Sequence, residues 1–166
     1  MSTADVIIKR SGKVAFYGIP GEGGTVTYHR MRGFTEFSTS KNPKEYSRQY
    51  VDEDTERTDV VGYAPSVSYA FDEFKGNEVH GDIIDITNNE KVGADAVRGI
   101  IVVDFSDGAA DGGYTAIKRD FSVIPDSEGD SMDAYTYSGT FKANGDKVIG
   151  TATVGEDDLT ATFSEG

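Results

Sequence analysis

The chain has no cysteine and no tryptophan. Without cysteine there is no disulfide framework, no thiolate nucleophile and no zinc–thiolate site. Without tryptophan, one favoured anchor of recognition grooves is missing. Leucine is almost absent too, Leu159 being the single copy. Apolar runs are short, like Ile100–Val103, whereas a membrane-spanning helix needs about 20 residues. The opening MSTADVIIKR lacks the basic, apolar and cleavage-site order of a signal peptide. The expectation is a soluble protein made in a cytoplasm.

What remains is strand-forming material. The 166 residues suit a single domain, 1–166, able to bury a sizeable core. The apolar share of 37% comes mainly from Val, Ile, Tyr and Phe, which pack well on pleated surfaces. Twenty glycines against four prolines suit a chain of many turns.

Charge is unevenly placed. Residues 1–50 hold eight Lys/Arg and four Asp/Glu, a net +4, while residues 51–166 hold eight and twenty-five, a net −17. The plain reading is a solvated acidic surface. The sharper one is a molecule with a basic and an acidic face, suited to head-to-tail association. Tight nucleic-acid binding is disfavoured, because it draws on a strongly basic surface.

Short strands are expected at Val6–Ile8, Lys13–Tyr17 and Thr25–Met31, with a turn over Gly18–Thr25. Phe34 and Phe37 open the next segment, and Lys41-Asn42-Pro43 breaks it. Tyr46 and Tyr50 would share a face of either a strand or a helix; the reading adopted is an extended arm. Asp52–Asp59 reads as an acidic turn. Ser66–Phe71 alternates apolar and polar residues, the clearest strand pattern in the chain. Asn77–Asn88 is the one helix candidate: Asn77 is a suitable N-cap, and Val79, Ile83, Ile84 and Ile86 form an apolar stripe. Further strands are expected at Arg98–Phe105, Tyr114–Ile124, Tyr135–Phe141, Lys147–Val154 and Leu159–Phe163. Asp107–Gly113 reads as a turn and Pro125–Asp133 as a second acidic loop. Asn144-Gly145 would join Tyr135–Phe141 to Lys147–Val154 as a hairpin. The expected architecture is mainly β: a β-sandwich or partly closed barrel of about ten short strands, one flanking α-helix (about 77–88) and a long early loop (about 38–58).

Catalytic signals are weak. Neither His29 nor His80 has a partner at a metal-binding spacing. Gly18 and Gly23 have the spacing of a phosphate loop, but Gly24 stands where lysine must neutralise phosphate. Asp52, Asp54 and Glu56 suggest calcium, yet Arg57 holds the position where an EF-hand loop needs glycine. Asp126, Glu128, Asp130 and Asp133 are spaced more loosely still. No catalytic residue, metal ligand or cofactor is assigned, and an enzymatic role is not expected.

The phrase KNPKEYSRQYVDEDTERTDVVGYAPSVSYAFD resembles the corresponding region of the major tail proteins, the tail tube proteins, of long-tailed bacteriophages, siphophage type. The likeness continues through NEVHGDIIDITNNEKVGADAVRGIIVVDF and KRDFSVIPDSEGDSMDAYTYSGTFKANGDKVIGTATV, spanning Phe34–Val154. The resemblance implies a β-sandwich with a flanking helix, and a structural virion protein whose hexameric rings stack into a hollow tube for genome passage. It implies that the loop at about Ser38–Thr58 contacts neighbouring rings. The candidate contact residues are Lys41, Lys44, Tyr46, Arg48, Tyr50, Asp52, Glu53, Asp54, Glu56 and Arg57. Implied partners are other copies of the chain, then the tape measure, tail terminator and baseplate initiator proteins; no membrane is involved. The protein would be assembled in the host cytoplasm and reside in the virion tail. DNA would pass without sticking, since an acidic lumen repels phosphates within about one Debye length, ~8 Å. The reading from another class is a monomeric β-sandwich module that binds carbohydrate or a host surface.

Overall fold

The computed structural model describes residues 5–108 and 113–165. Its strands are β1 (Lys13–Pro20), β2 (Val26–Arg30), β3 (Phe34–Ser40), β4 (Pro43–Arg48), β5 (Arg57–Tyr63), β6 (Ser66–Asp72), β7 (Val97–Gly108), β8 (Tyr114–Glu128), β9 (Thr136–Ala143), β10 (Val148–Val154) and β11 (Thr160–Glu165). The helix α1 (Glu78–Asn88) lies between β6 and β7. Among the described residues, neighbouring strands run antiparallel in the order β10-β11-β2-β1-β7-β8-β9-β6-β3. A further pairing of β10 with β8 closes the first six of these strands into a barrel. The expected mainly β fold with one flanking helix is what forms.

Two apolar cores occupy opposite faces of the same strands. Inside the barrel are Phe16, Tyr28, Ile101, Val103, Ala116, Ala152 and Ala161. On the other face, Tyr17, Ile100, Phe121 and Val123 meet Val67, Tyr69, Phe71 and Phe141, under Val79, Ile83 and Ile86 of α1. Adjacent residues therefore serve different cores: Phe16 and Tyr17 on β1, Ile100 and Ile101 on β7. A strand buried on both faces needs an apolar run rather than alternation, which is why VAFYGI and GIIVV lack a polar face.

α1 starts where its cap residue allows. The Asn77 side chain accepts from the backbone N–H groups of Val79 and His80, at 3.1 and 3.2 Å. Two side-chain clusters tie the helix down. Arg98, buried on β7, donates to both Asp82 oxygens, at 2.9 and 3.4 Å, and Tyr17 donates to Asp82 at 2.6 Å. Arg98 also reaches the carbonyls of Asp95 and Val97. Burial and then the Asp82 charge push the Tyr17 phenol well above its ordinary pKa. In the first turn of the helix His80 is fully buried and stacks on Phe71 with centroids 4.2 Å apart. Its Nδ1 accepts from the Phe74 N–H, so Nε2 carries the proton and donates to the Arg32 carbonyl at 2.7 Å. Gly33 packs beneath it with φ +78°; a Cβ there would sit 2.8 Å from the Phe74 ring and 2.9 Å from His80.

Several expectations are corrected. Val6–Ile8 is not a strand but an exposed lead-in to β1. β8 runs on through Pro125 to Glu128, so the first part of the expected acidic loop is strand; Pro125 sits beside a bulge, where its missing N–H is tolerated. Asn144-Gly145 does not make a hairpin. β9 and β10 pair with the same side of β8, β9 with Phe121–Glu128 and β10 with Tyr114–Lys118, both antiparallel to it. The chain thus continues along β8 rather than turning back. Asn144 pins the corner, its backbone N–H donating to Asp120 and its amide to Ser122. The expected early loop is mostly strand: β3 extends to Ser40, and β4 and β5 form a hairpin of their own. Of the turn expected at Asp107–Gly113, residues 109–112 lie outside the described residues, and Asp107 and Gly108 belong to β7.

Two outcomes test these anchors. Asp82→Ala strands a buried guanidinium and should cost about 3 kcal/mol in urea unfolding. Replacing the whole cluster with apolar residues, Asp82→Leu with Arg98→Met and Tyr17→Phe, should recover most of that loss, since Tyr17 otherwise loses its acceptor. For His80, burial holds the imidazole below its ordinary 6.5. The folded state resists this proton more than the unfolded chain does. The contribution of His80 is therefore whole above about pH 6.5 and is lost as pH falls through the lowered folded value. The stability gap between the native chain and His80→Gln should narrow on acidification from about pH 7.5 to about pH 5, as read from urea midpoints.

Candidate assembly interface

β4 and β5 form a separate two-stranded sheet. None of their residues is buried, and apart from Arg48 and Gly62, which are half-buried, all are exposed. Such a ribbon is marginally stable in water at best. Its base is nevertheless well held. Asn42, at φ +47°, donates through its amide to the Ala64 carbonyl and to Ser66 Oγ, each at 3.0 Å. The Ala64 N–H returns a bond to the Lys41 carbonyl. From that base the six residues of β4 carry the tip outward by roughly 20 Å, at ~3.3 Å per residue.

Register assigns the side chains to two faces. Partners Arg48↔Arg57 and Tyr46↔Asp59 share one face, joined by Lys44. Here the Arg48 guanidinium lies 5.0 Å from the Tyr46 ring centre and 5.6 Å from that of Tyr50, and ion-pairs with Asp59. Arg57 lies 5.8 Å from the Tyr50 ring and pairs with Glu53 at 2.8 Å. These contacts stiffen the ribbon from within. The opposite face carries Glu45 and Val60, Ser47 and Thr58, Pro43 and Tyr63, with a bulge between Lys44 and Glu45. Ser47 and Thr58 join hydroxyls at 3.0 Å.

The structure thus gathers nine of the ten candidate contact residues on one projecting hairpin, with Lys41 at its base. Asp52, Asp54 and Glu56 stand exposed at the tip, whereas Glu53 is held by Arg57. The sequence reading missed the apolar half. Val51 is fully exposed and Val60, Val61 and Tyr63 are 53%, 64% and 59% exposed. DVVGY, to which the sequence reading assigns no strand, lies in the exposed β5. Valine and tyrosine side chains therefore stand in solvent together on one projecting element.

Among the described residues no group of three or more His, Asp or Glu is placed to hold a metal ion. No helix among them is long and apolar enough to cross a membrane.

No family model matches this sequence, and no curated protein matches it. Among solved structures, the fold is similar to a chain of the anti-feeding prophage cap, the tube-terminating cap, seen by electron cryomicroscopy. Identity is 13%, the match covers 92% of this chain and 96% of that one, and the TM-score is 0.52. A chain of the anti-feeding prophage baseplate matches with 8% identity over 90% of this chain and 97% of that one, at a TM-score of 0.47.

Proposed function

We infer that this chain is a structural, non-enzymatic protein of a phage-type tail, whose copies associate into hexameric rings that stack into a hollow tube for genome passage. The observation that carries this reading is the β4–β5 hairpin: a held, internally stiffened ribbon with exposed aromatic and valine side chains and no partner sheet in its own domain. A monomer has little use for such an arm, whereas a neighbouring copy would cover it. The fold likeness to a chain of a tube-terminating cap adds support, since it spans nearly the whole of both chains. The resemblance of Phe34–Val154 to siphophage tail tube proteins points the same way. In this reading the tape measure, tail terminator and baseplate initiator proteins meet the tube inside and at its ends, and the finished protein resides in the virion. Heterologous contacts close into rings around the axis and propagate along it, so one chain can supply both. The net charge of −13 suits a lumen that DNA must traverse without adhering.

Negative-stain microscopy of the purified chain at rising concentration should reveal six-fold rings or tubes. A species that stays monomeric at every concentration and salt, with tail initiator proteins added, would overturn the reading. The triple change Tyr46→Ala, Arg48→Ala and Tyr50→Ala should abolish stacking. It should leave unfolding within about 0.5 kcal/mol per site of the native value, because no member is buried.

A further inference from the structure

Beyond β8 the sheet continues through β9, β6 and β3 and curls back over the second core. Phe34 and Phe37 of β3 pack on the same core as Ala15 and Tyr17 of β1. Among the described residues β3 pairs only with β6, so this second curl stays open on the side facing the start of β1. Arg10 spans the gap, donating to the Lys13 carbonyl at 2.7 Å and to the Phe37 carbonyl of β3 at 3.3 Å. The gap is a groove of about 610 Å³ whose lining includes Phe34 and Phe37 and four cations, Arg10, Lys13, Arg30 and Arg32. No acidic residue lines it; Glu36 of β3 and Asp104, opposite Lys13 on β7, both lie outside. None of the four cations is ion-paired among the described residues.

Four cations without ion pairs around a partly apolar floor form a basic surface in an otherwise acidic protein, complementary to an anionic occupant. The chain has one of complementary charge. The hairpin tip offers Asp52, Asp54 and Glu56 unpaired, beside the fully exposed Val51. The hairpin ladder joins no strand of the groove in its own domain. We propose that the basic groove between β1 and β3 is the receptor for the acidic β4–β5 tip of a second copy of this chain. The carboxylates meet Lys13, Arg30 and Arg32, and Val51 meets the phenylalanine floor. One copy's tip fills the next copy's groove and leaves its own groove open, so the contact is head-to-tail and repeats. This assignment rests on the self-assembly reading above and gives it a specific joint.

Because the chain has no cysteine, a single introduced pair reports the contact directly. Asp54→Cys and Thr35→Cys in one full-length chain should give an intermolecular disulfide ladder under mild oxidation, while either change alone should give at most dimers. Lys13→Glu with Arg32→Glu should weaken self-association by roughly a hundredfold, as should Asp52→Lys with Asp54→Lys. Mixing those two variants restores opposite charges at every joint, and should restore assembly. Rings or tubes that form without the ladder, and that persist in both charge-reversed variants, would overturn the groove assignment while leaving the tube reading standing. A chain that neither assembles nor cross-links would overturn both. If the groove variant instead loses affinity for duplex DNA and keeps native assembly and no ladder forms, the groove is a phosphate site and the proposal is wrong.

Discussion

The structure depends on strands that are buried on both faces. β1 and β7 present Phe16, Ile101 and Val103 to the barrel interior, and Tyr17 and Ile100 to the core under α1. Every other part is placed by that arrangement. The barrel closes on one side of these strands; the helix and the β9-β6-β3 extension pack on the other. A polar residue on either face would open one of the two cores. The single charge tolerated there, Arg98, is neutralised by Asp82 and held by two backbone carbonyls. Such an ion pair is poor as a source of stability compared with an apolar pair, but it fixes where the helix sits.

Using both faces of the central strands for burial leaves the periphery for contact with other molecules. Barrel closure removes most sheet edges, and open edges are what lone β domains must guard. Among the described residues, the strands left with free edges are β3 and the two strands of the hairpin. The basic groove runs beside the first and the acidic tip crowns the second. Four of the eight cations in residues 1–50 line the groove, while Lys41, Lys44 and Arg48 of the same segment belong to the hairpin and its base. Long reach with internal cation–π and ionic stiffening suits an element that crosses to a neighbour.

Local signals were read well where local physics decides the outcome. Asn77 sits where an orphaned helix terminus needs an acceptor, and the Val79, Ile83 and Ile86 stripe meets the sheet. Val67, Tyr69 and Phe71 alternate because β6 has one buried face. Asn144-Gly145 misled, since a turn-prone pair states only that the backbone bends. Whether the chain reverses or steps sideways depends on β8, which is long enough to hold two successive partners along one side. Pro125 misled in the same way: a bulge in β8 absorbs the proline that would otherwise end a strand. In the arm, the charges and tyrosines were legible, but DVVGY could not be recognised as exposed strand without knowing that the hairpin leaves the domain.

By itself, the sequence determined the class of the fold, the helix and its start, the exclusion of thiol chemistry and the opposition of charge between its first fifty residues and the rest. These follow from residue type and short spacing, which act within one element. The tertiary structure alone decided which strands close the barrel, that β9 and β10 are successive rather than paired, and that Arg10, Lys13, Arg30 and Arg32 surround one groove. Those outcomes arise from contacts between residues far apart in the chain, where closure geometry and two-sided burial outweigh any local preference.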